Sequence, residues 1–421
     1  MKAARFVPLA MTLGSLACSS DKTTLGGNHG GNTGAGTPHA DGGRGLLAFT
    51  PPGDPGGGGV LFSASGEALA LTGYTFPPAQ DGDPAFVDGW EVRFQRLLVT
   101  IDAIRLSENP DTSPGDQSKT GKLIARVDGP WAVDLAHADP AYLLGKGGPG
   151  EEAVPIAALS SQNQNGGGGF ATDGTRYAFG FDVVTASPDV TPYNVNLGPA
   201  ALDDYETMRT DSCTVLYVGT ATFKGDKTDP GCYPDSRKGW PDVVDFRLCF
   251  KSPTSYDNCQ NPDNDPADPF PDEEHERGIA FKDSSSVIAQ VTIHTDHPFW
   301  DSVIHDSPAH FDQFAARVLD QDAGTPLATL EQTRGVDYTA YTDVLGNALD
   351  YRYCVEPPTD AHQKFIGAMR FDPGSVPHAV GGNPATGLRD YYDFSTYDQS
   401  TQGHLNADGL CYVQRRYASP R

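Results

Sequence analysis

Trp90, Val92 and Phe94 alternate with Glu91, Arg93 and Gln95, and just downstream Leu97, Val99 and Ile101 alternate with Leu98, Thr100 and Asp102 in the opposite parity. Successive side chains of a strand point to opposite faces, so a period of two predicts sheet and argues against an amphipathic helix. A change of parity is what one extra residue does to a ladder. The segment therefore reads as one long strand bulged near Gln95-Arg96, or as two strands. Similar runs occupy 123–127, 177–183, 214–223, 243–250 and 286–293, with Gly, Pro, Asn and Asp clusters between them. Short strands this frequent predict a mainly β fold, a β-sandwich or jelly-roll-like body with a few short helices and long loops. One helix is expected where Ser307 caps, Pro308 takes the first position, and Phe311, Phe314, Ala315 and Val318 make the apolar face.

The chain has 421 residues, 38% of them hydrophobic, which suffices for one large or two ordinary domains with a sizeable core. Its formal net charge of −25 repels nucleic acid and anionic lipid and excludes a nucleic-acid partner. Acidity of this size also attracts cations, although a solvated surface is the simpler explanation.

The chain opens Met1-Lys2-Ala3-Ala4-Arg5, continues with an apolar run from Phe6 to Ala17, and reaches Cys18-Ser19-Ser20. That charged, apolar, small order is the layout of a secretory signal, and the apolar run is too short to span a bilayer as a helix. Ser15-Leu16-Ala17-Cys18 resembles the processing site of bacterial lipoproteins, with Ser15 where that family favours an aliphatic residue. The resemblance implies lipid on Cys18 as the mature N-terminus, with ordinary signal cleavage as the alternative. Ser19 in place of Asp implies the outer membrane, facing the periplasm or the exterior. Residues 1–17 are then the signal peptide. Residues 18–59, rich in Gly, Asn, Thr and Pro, are a disordered tether of roughly 35 Å reach. Residues 60–421 are the folded body, with a subdivision conceivable at the acidic stretch 261–276. In these terms the chain is similar to the many exported bacterial lipoproteins with a Gly-rich tether, a resemblance that gives a location and no activity.

Besides Cys18 there are six cysteines, Cys213, Cys232, Cys249, Cys259, Cys354 and Cys411. An even set in an exported chain predicts three disulfides. Short loops favour Cys213–Cys232, Cys249–Cys259 and Cys354–Cys411, and no CxxC suggests a redox pair or a zinc knuckle.

The densest chemical signal is the stretch 291–310, which holds four of the eleven histidines. In the strand before it, Val287, Ala289, Val291 and Ile293 share one face, leaving Gln290, Thr292, His294 and Asp296 on the other. Residues two apart lie about 6.6 Å apart along a strand, so an imidazole and a carboxylate there can lean toward one ion. His297 follows where Pro298 ends regular pairing. His305 or His310 adds a further ligand after the turn, with Asp301 or Asp306 orienting a ring, and His404 joins if the fold brings its segment near. Imidazole with carboxylate suits a transition metal, zinc or copper, better than calcium. The structural alternatives are a surface His310, a His305 that caps backbone groups, and an exposed His294–Asp296 pair. Phe299 and Trp300 read as core anchors.

Other constellations are weaker. His404, Asn406 and Asp408 alternate before Gly409, an incomplete echo of a calcium loop that also reads as a turn before a disulfide cysteine. Asp263, Asn264, Asp265, Asp268, Asp272, Glu273 and Glu274 form an acidic, Pro-interrupted loop whose oxygens suit calcium or simply water. The segments 337–341 and 390–394 combine tyrosines with aspartates, as sugar-binding surfaces do, and equally as ordinary strands do. There is no G-x-S-x-G elbow, P-loop or dinucleotide-binding glycine pattern. The chain therefore reads as a membrane-tethered extracytoplasmic binding protein for a transition metal. A glycan- or protein-binding surface and a metal-dependent hydrolase are the alternatives.

Overall fold

The long strand anticipated around Gln95 organises the molecule. In a computed structural model it runs unbroken from Trp90 to Ser107, and its register against a neighbour slips between Phe94 and Arg96, where the parity of the sequence changes. The structure describes residues 45–80, 82–113, 115–137, 152–160, 169–264, 275–301, 307–321, 324–336, 343–344, 347, 352–355, 388 and 390–417.

In chain order the strands are β1 (Leu47–Ala48), β2 (Val60–Ser65), β3 (Trp90–Ser107), β4 (Leu123–Val127), β5 (Trp131–Asp134), β6 (Val154–Leu159), β7 (Arg176–Val183), β8 (Tyr193–Asn194) and β9 (Val215–Phe223). They continue as β10 (Val243–Phe250), β11 (Thr254–Asp257), β12 (Ile279–Ala280), β13 (Val287–Ile293), β14 (Leu327–Thr329), β15 (Gly403–Leu405), β16 (Gly409–Leu410) and β17 (Tyr412–Arg415). The helices are α1 (Glu67–Thr72), α2 (Pro199–Asp211), α3 (Asp312–Ala315) and α4 (Tyr391–Gln399). The fold is mainly β.

One sheet has the order β1-β8-β5-β3-β7-β11-β17, with β9, β10 and β14 branching from β3. The other has the order β16-β15-β13-β2-β6. The larger of two apolar clusters includes residues from both sheets. Phe62 of β2 stacks on Phe179 of β7 with ring centroids 6.0 Å apart, and Val60, Ala64, Ala289, Val291 and Ile293 meet Phe181, Tyr217 and Phe250 in the same cluster. Both faces of β13 are covered, because Gln290 and Thr292 on its polar side are as buried as Val291.

The ordered body begins well before Val60. Leu47 and Ala48 pair in parallel with Tyr193 and Asn194, and Leu46 is buried against Leu98, Met208 and Leu216. The short apolar run Leu46-Leu47-Ala48-Phe49 holds a segment whose surrounding glycines and prolines suggest tether. The signal, Cys18 and the tether up to residue 44 lie outside the described residues.

All six cysteines pair, though not by shortest loop: the bonds are Cys213–Cys249, Cys232–Cys354 and Cys259–Cys411. Sheet pairing decides the partners. The antiparallel β9–β10 register sets Leu216 opposite Cys249, and Cys213 lies just before β9. Asp257 opposes Tyr412, which brings Cys259 to Cys411. Cys354 donates its backbone N–H to Val87 O at 2.6 Å and so arrives at the start of β3 beside Cys232. Three disulfides indicate an oxidising, extracytoplasmic environment. Among the described residues no helix is long and apolar enough to cross a membrane.

The expected helix at Ser307 starts later, at Asp312. Residues before it are extended, with Ala309 bridging to Phe86 and Trp300. The cap comes from Asp88, whose Oδ2 accepts the N–H groups of Phe311 and Asp312, each at 2.8 Å. Phe311, Phe314, Ala315 and Val318 are buried as the pattern requires.

Candidate metal centre

Three imidazoles converge at the end of the smaller sheet. The β13–β15 register sets Thr292 opposite His404, so those side chains share the polar face of the sheet. Pairing continues one step past the strand, where His294 N–H donates to Gln402 O at 3.0 Å, and His294 lies diagonally across from His404. Their ring centroids are 4.2 Å apart. The chain then closes a single 3₁₀ turn over His297–Phe299, which returns His297 to the same place. Its ring centroid is 5.4 Å from that of His294 and 5.6 Å from that of His404. One ligand nitrogen from each of the three lies within 4.8 Å of the others, a set that could hold a metal ion.

The surroundings fix these rings. His297 Nδ1 is 2.7 Å from Thr401 Oγ1 and Trp300 stacks on the ring at 3.7 Å. Phe299 anchors the turn among Phe86, Tyr217 and Phe314. Beneath, Tyr217 donates its hydroxyl to Gln402 Oε1 at 2.6 Å, and Tyr74 shares a 2.7 Å hydrogen bond with Thr295. Gly403, where β15 begins, lies flat against Tyr256, and a Cβ there would meet the ring at 2.5 Å.

A second group overlaps the first. Glu67, His294 and Asp408 also place ligand atoms within 4.8 Å of one another. Glu67 arrives because β2 and β13 run parallel with Ser65 opposite Thr292, so Glu67 and His294 are each two residues past paired positions. Glu67 takes φ +60°, an uncommon conformation for a residue with a Cβ, and its Oε1 sits 3.4 Å from His294 Nε2. Asp408 comes from the β15–β16 turn, in which Asn406 and Ala407 also have positive φ. That turn sets Ala407 O 3.2 Å from His294 Nε2.

Burial alone would lower the pKa of His294, but the charge and hydrogen bond of Glu67, with Asp296 and Asp408 behind, outweigh it and push the value up to about 10. Burial opposes ionisation of Glu67 in turn, yet the charge on His294 holds its carboxyl below the usual range. Burial, then the charge of Asp296, raises the phenols of Tyr74 and Tyr217 well above their ordinary values. The centre therefore combines a buried imidazole floor with a carboxylate rim, an arrangement that attracts cations.

Of the six residues read as metal ligands, the structure brings together His294, His297 and His404. Asp296 lies past the end of β13, just before the 3₁₀ turn, and acts on His294 as a nearby charge; neither three-residue group among the described residues includes it. His310 belongs elsewhere. Its Nδ1 lies 3.8 Å from Asp88 and its Nε2 3.6 Å from Asp301, so opposite edges of the ring face different buried carboxylates. His305 lies outside the described residues. Glu67 carries no sequence signal, since parallel pairing of β2 with β13 across more than two hundred residues leaves no local trace.

The remaining constellations resolve differently. Asn406 is a structural clamp, accepting Gln290 N–H and donating to Asn261 Oδ1, both at 2.9 Å, so its side chain is not turned to a calcium ion. Tyr391, Tyr392 and Phe394 are buried in α4 and form no exposed sugar platform. The tyrosines of 337–341 and the acidic residues 265–274 lie outside the described residues. No known protein family, curated protein or solved structure matches the chain.

Proposed function

We propose that this is an extracytoplasmic transition-metal-binding protein whose ion, zinc or copper, is held by His294, His297 and His404. The observation that carries this reading is the meeting of three imidazoles from two segments about a hundred residues apart at one sheet end, with a nitrogen of each within 4.8 Å of the others. Nitrogen donors favour zinc, copper, nickel or iron over calcium and magnesium. Thr401 on His297 Nδ1 matches the way ligating histidines are commonly held by a hydrogen bond through their second nitrogen. Three donors leave a fourth position of a tetrahedral ion to water or a small ligand. The same reading places the body outside the cytoplasm on a lipid at Cys18, which mass spectrometry of the N-terminal peptide tests directly.

The decisive experiment is elemental analysis of protein loaded with zinc or copper and then desalted. Near-stoichiometric metal is expected, and His404→Ala should lower affinity by more than the roughly 10–100-fold that losing a ligand's supporting partner costs. Absence of metal from the loaded protein, or unchanged content in His404→Ala, overturns the proposal.

A further inference from the structure

Resting on that reading, exposure falls in order across the two overlapping groups. Asp408, Glu67 and His294 are partly exposed, the side chains of Glu67 and His294 by 24% and 13%, whereas His404 and His297 are buried, 1% and 0% exposed. Trp300 covers one face of His297, and β13 and β16 flank β15, which carries His404. Among the described residues, the solvent-facing side of the imidazole group is therefore the side that carries Glu67, His294 and Asp408.

We infer that Glu67, His294 and Asp408 form an outer cation station through which a hydrated divalent ion passes to the inner imidazoles. The station is more than an acidic cluster. It contains a ring nitrogen, His294 Nε2, with Glu67 Oε1 at 3.4 Å and Ala407 O at 3.2 Å, and it shares that ring with three imidazoles that by themselves could hold an ion. The two groups differ in kind. Outside, oxygens dominate, and hard donors hold a borderline ion loosely enough to release it. Inside, nitrogens hold it more tightly. Because His294 is common to both, an ion moves inward by exchanging the oxygens of Glu67 and Asp408 for the nitrogens of His297 and His404. His294 gives up its extra ring proton to solvent as the ion binds, and the only other bonds made or broken are those to the metal. The carboxylates also concentrate cations at the mouth, an effect that weakens with ionic strength.

The test is stopped-flow loading of the full-length, disulfide-bonded protein with cobalt(II), whose visible absorption intensifies in a tetrahedral nitrogen site. In Glu67→Gln/Asp408→Asn the loading rate should fall tenfold or more, and its dependence on salt should flatten. A fall of less than threefold overturns the outer station. So does an equal fall in a control with two distant exposed acids neutralised, Asp173→Asn/Asp189→Asn, because the general field would then account for it. Asp408→Asn alone, on the partly exposed β15–β16 turn, should slow loading at least threefold and keeps the test decisive should Glu67→Gln fail to fold. Failure of the metal reading itself looks different: wild-type protein would then develop no cobalt absorption at any time.

Discussion

The proton on His294 makes the metal proposal measurable. With its pKa pushed up to about 10 by Glu67, His294 in the metal-free protein is cationic at pH 7 in all but roughly one molecule in a thousand. A metal takes the neutral ring, so binding through His294 must expel that proton. Three pH units below the pKa, the expulsion costs about 4 kcal/mol relative to a neutral imidazole. The contribution of this residue to apparent affinity should therefore grow about tenfold per pH unit between pH 7 and 9, where an imidazole of ordinary pKa contributes almost no slope. Zinc titration calorimetry in buffers of different ionisation enthalpy counts the protons released, and His294 alone should give about one at pH 7.5. In Glu67→Gln the leading attraction is gone, so both the released proton and the slope should shrink. Release of less than half a proton from the wild-type protein, or a Glu67→Gln count equal to it, would refute the assignment of His294 as a ligand held charged by Glu67.

Without metal, the same pair gives stability a pH profile. The raised pKa of His294 contributes stability that is full below about 6.5 and is lost as pH climbs through about 10, whereas the depressed pKa of Glu67 contributes above its unfolded value and is lost as pH falls through the folded one, so urea melts should show Glu67→Gln losing most near pH 5–6. Ala407→Gly relieves a positive φ of 59° and should stabilise the protein by about 1 kcal/mol in urea unfolding. Arg352→Met strips the buried Asp312 carboxylate of its guanidinium partner, leaving only the Trp90 Nε1–H at 2.8 Å, and should cost about 3–5 kcal/mol in thermal unfolding. Replacing Cys259 and Cys411 by serine opens a link across 152 residues and should cost about 2–5 kcal/mol, with metal affinity falling too because Cys411 steadies the hairpin that carries His404.

What was legible in the sequence follows the reach of each force. Strand parity is local, so β4, β7, β9, β10 and β13 could be read within a residue or so of their ends, and β3 from its start through its bulge to Asp102, five residues short of its end at Ser107. The polar face of β13 was equally readable as far as Thr292 and His294. Disulfide pairing is not local: loop length favours near neighbours, but a covalent bond forms between cysteines that the sheets have already brought together, and each sheet joined distant strands. The start of the body was misplaced for a related reason. Four apolar residues in a Gly- and Pro-rich stretch look too few to order it until β8 supplies an edge to pair with.

The centre shows the same division between local and distant signals. A strand reading extends a face indefinitely and carries His294 on to Asp296, whereas the ladder ends with the His294 N–H on Gln402 O and gives way to the turn over His297–Phe299. That turn replaces a nearby carboxylate with an imidazole, since it folds His297 back over His294 while Asp296 is left as a charge beside the buried phenols. The third ligand then depends on one fact of register, Thr292 opposite His404, and the carboxylate behind His294 on another, Ser65 opposite Thr292. A slip of one residue in either ladder would turn His404 to the apolar face or carry Glu67 away from the ring. The centre is thus specified by the pairing of three strands, and a local search for ligand spacing could find its histidines without finding its shape.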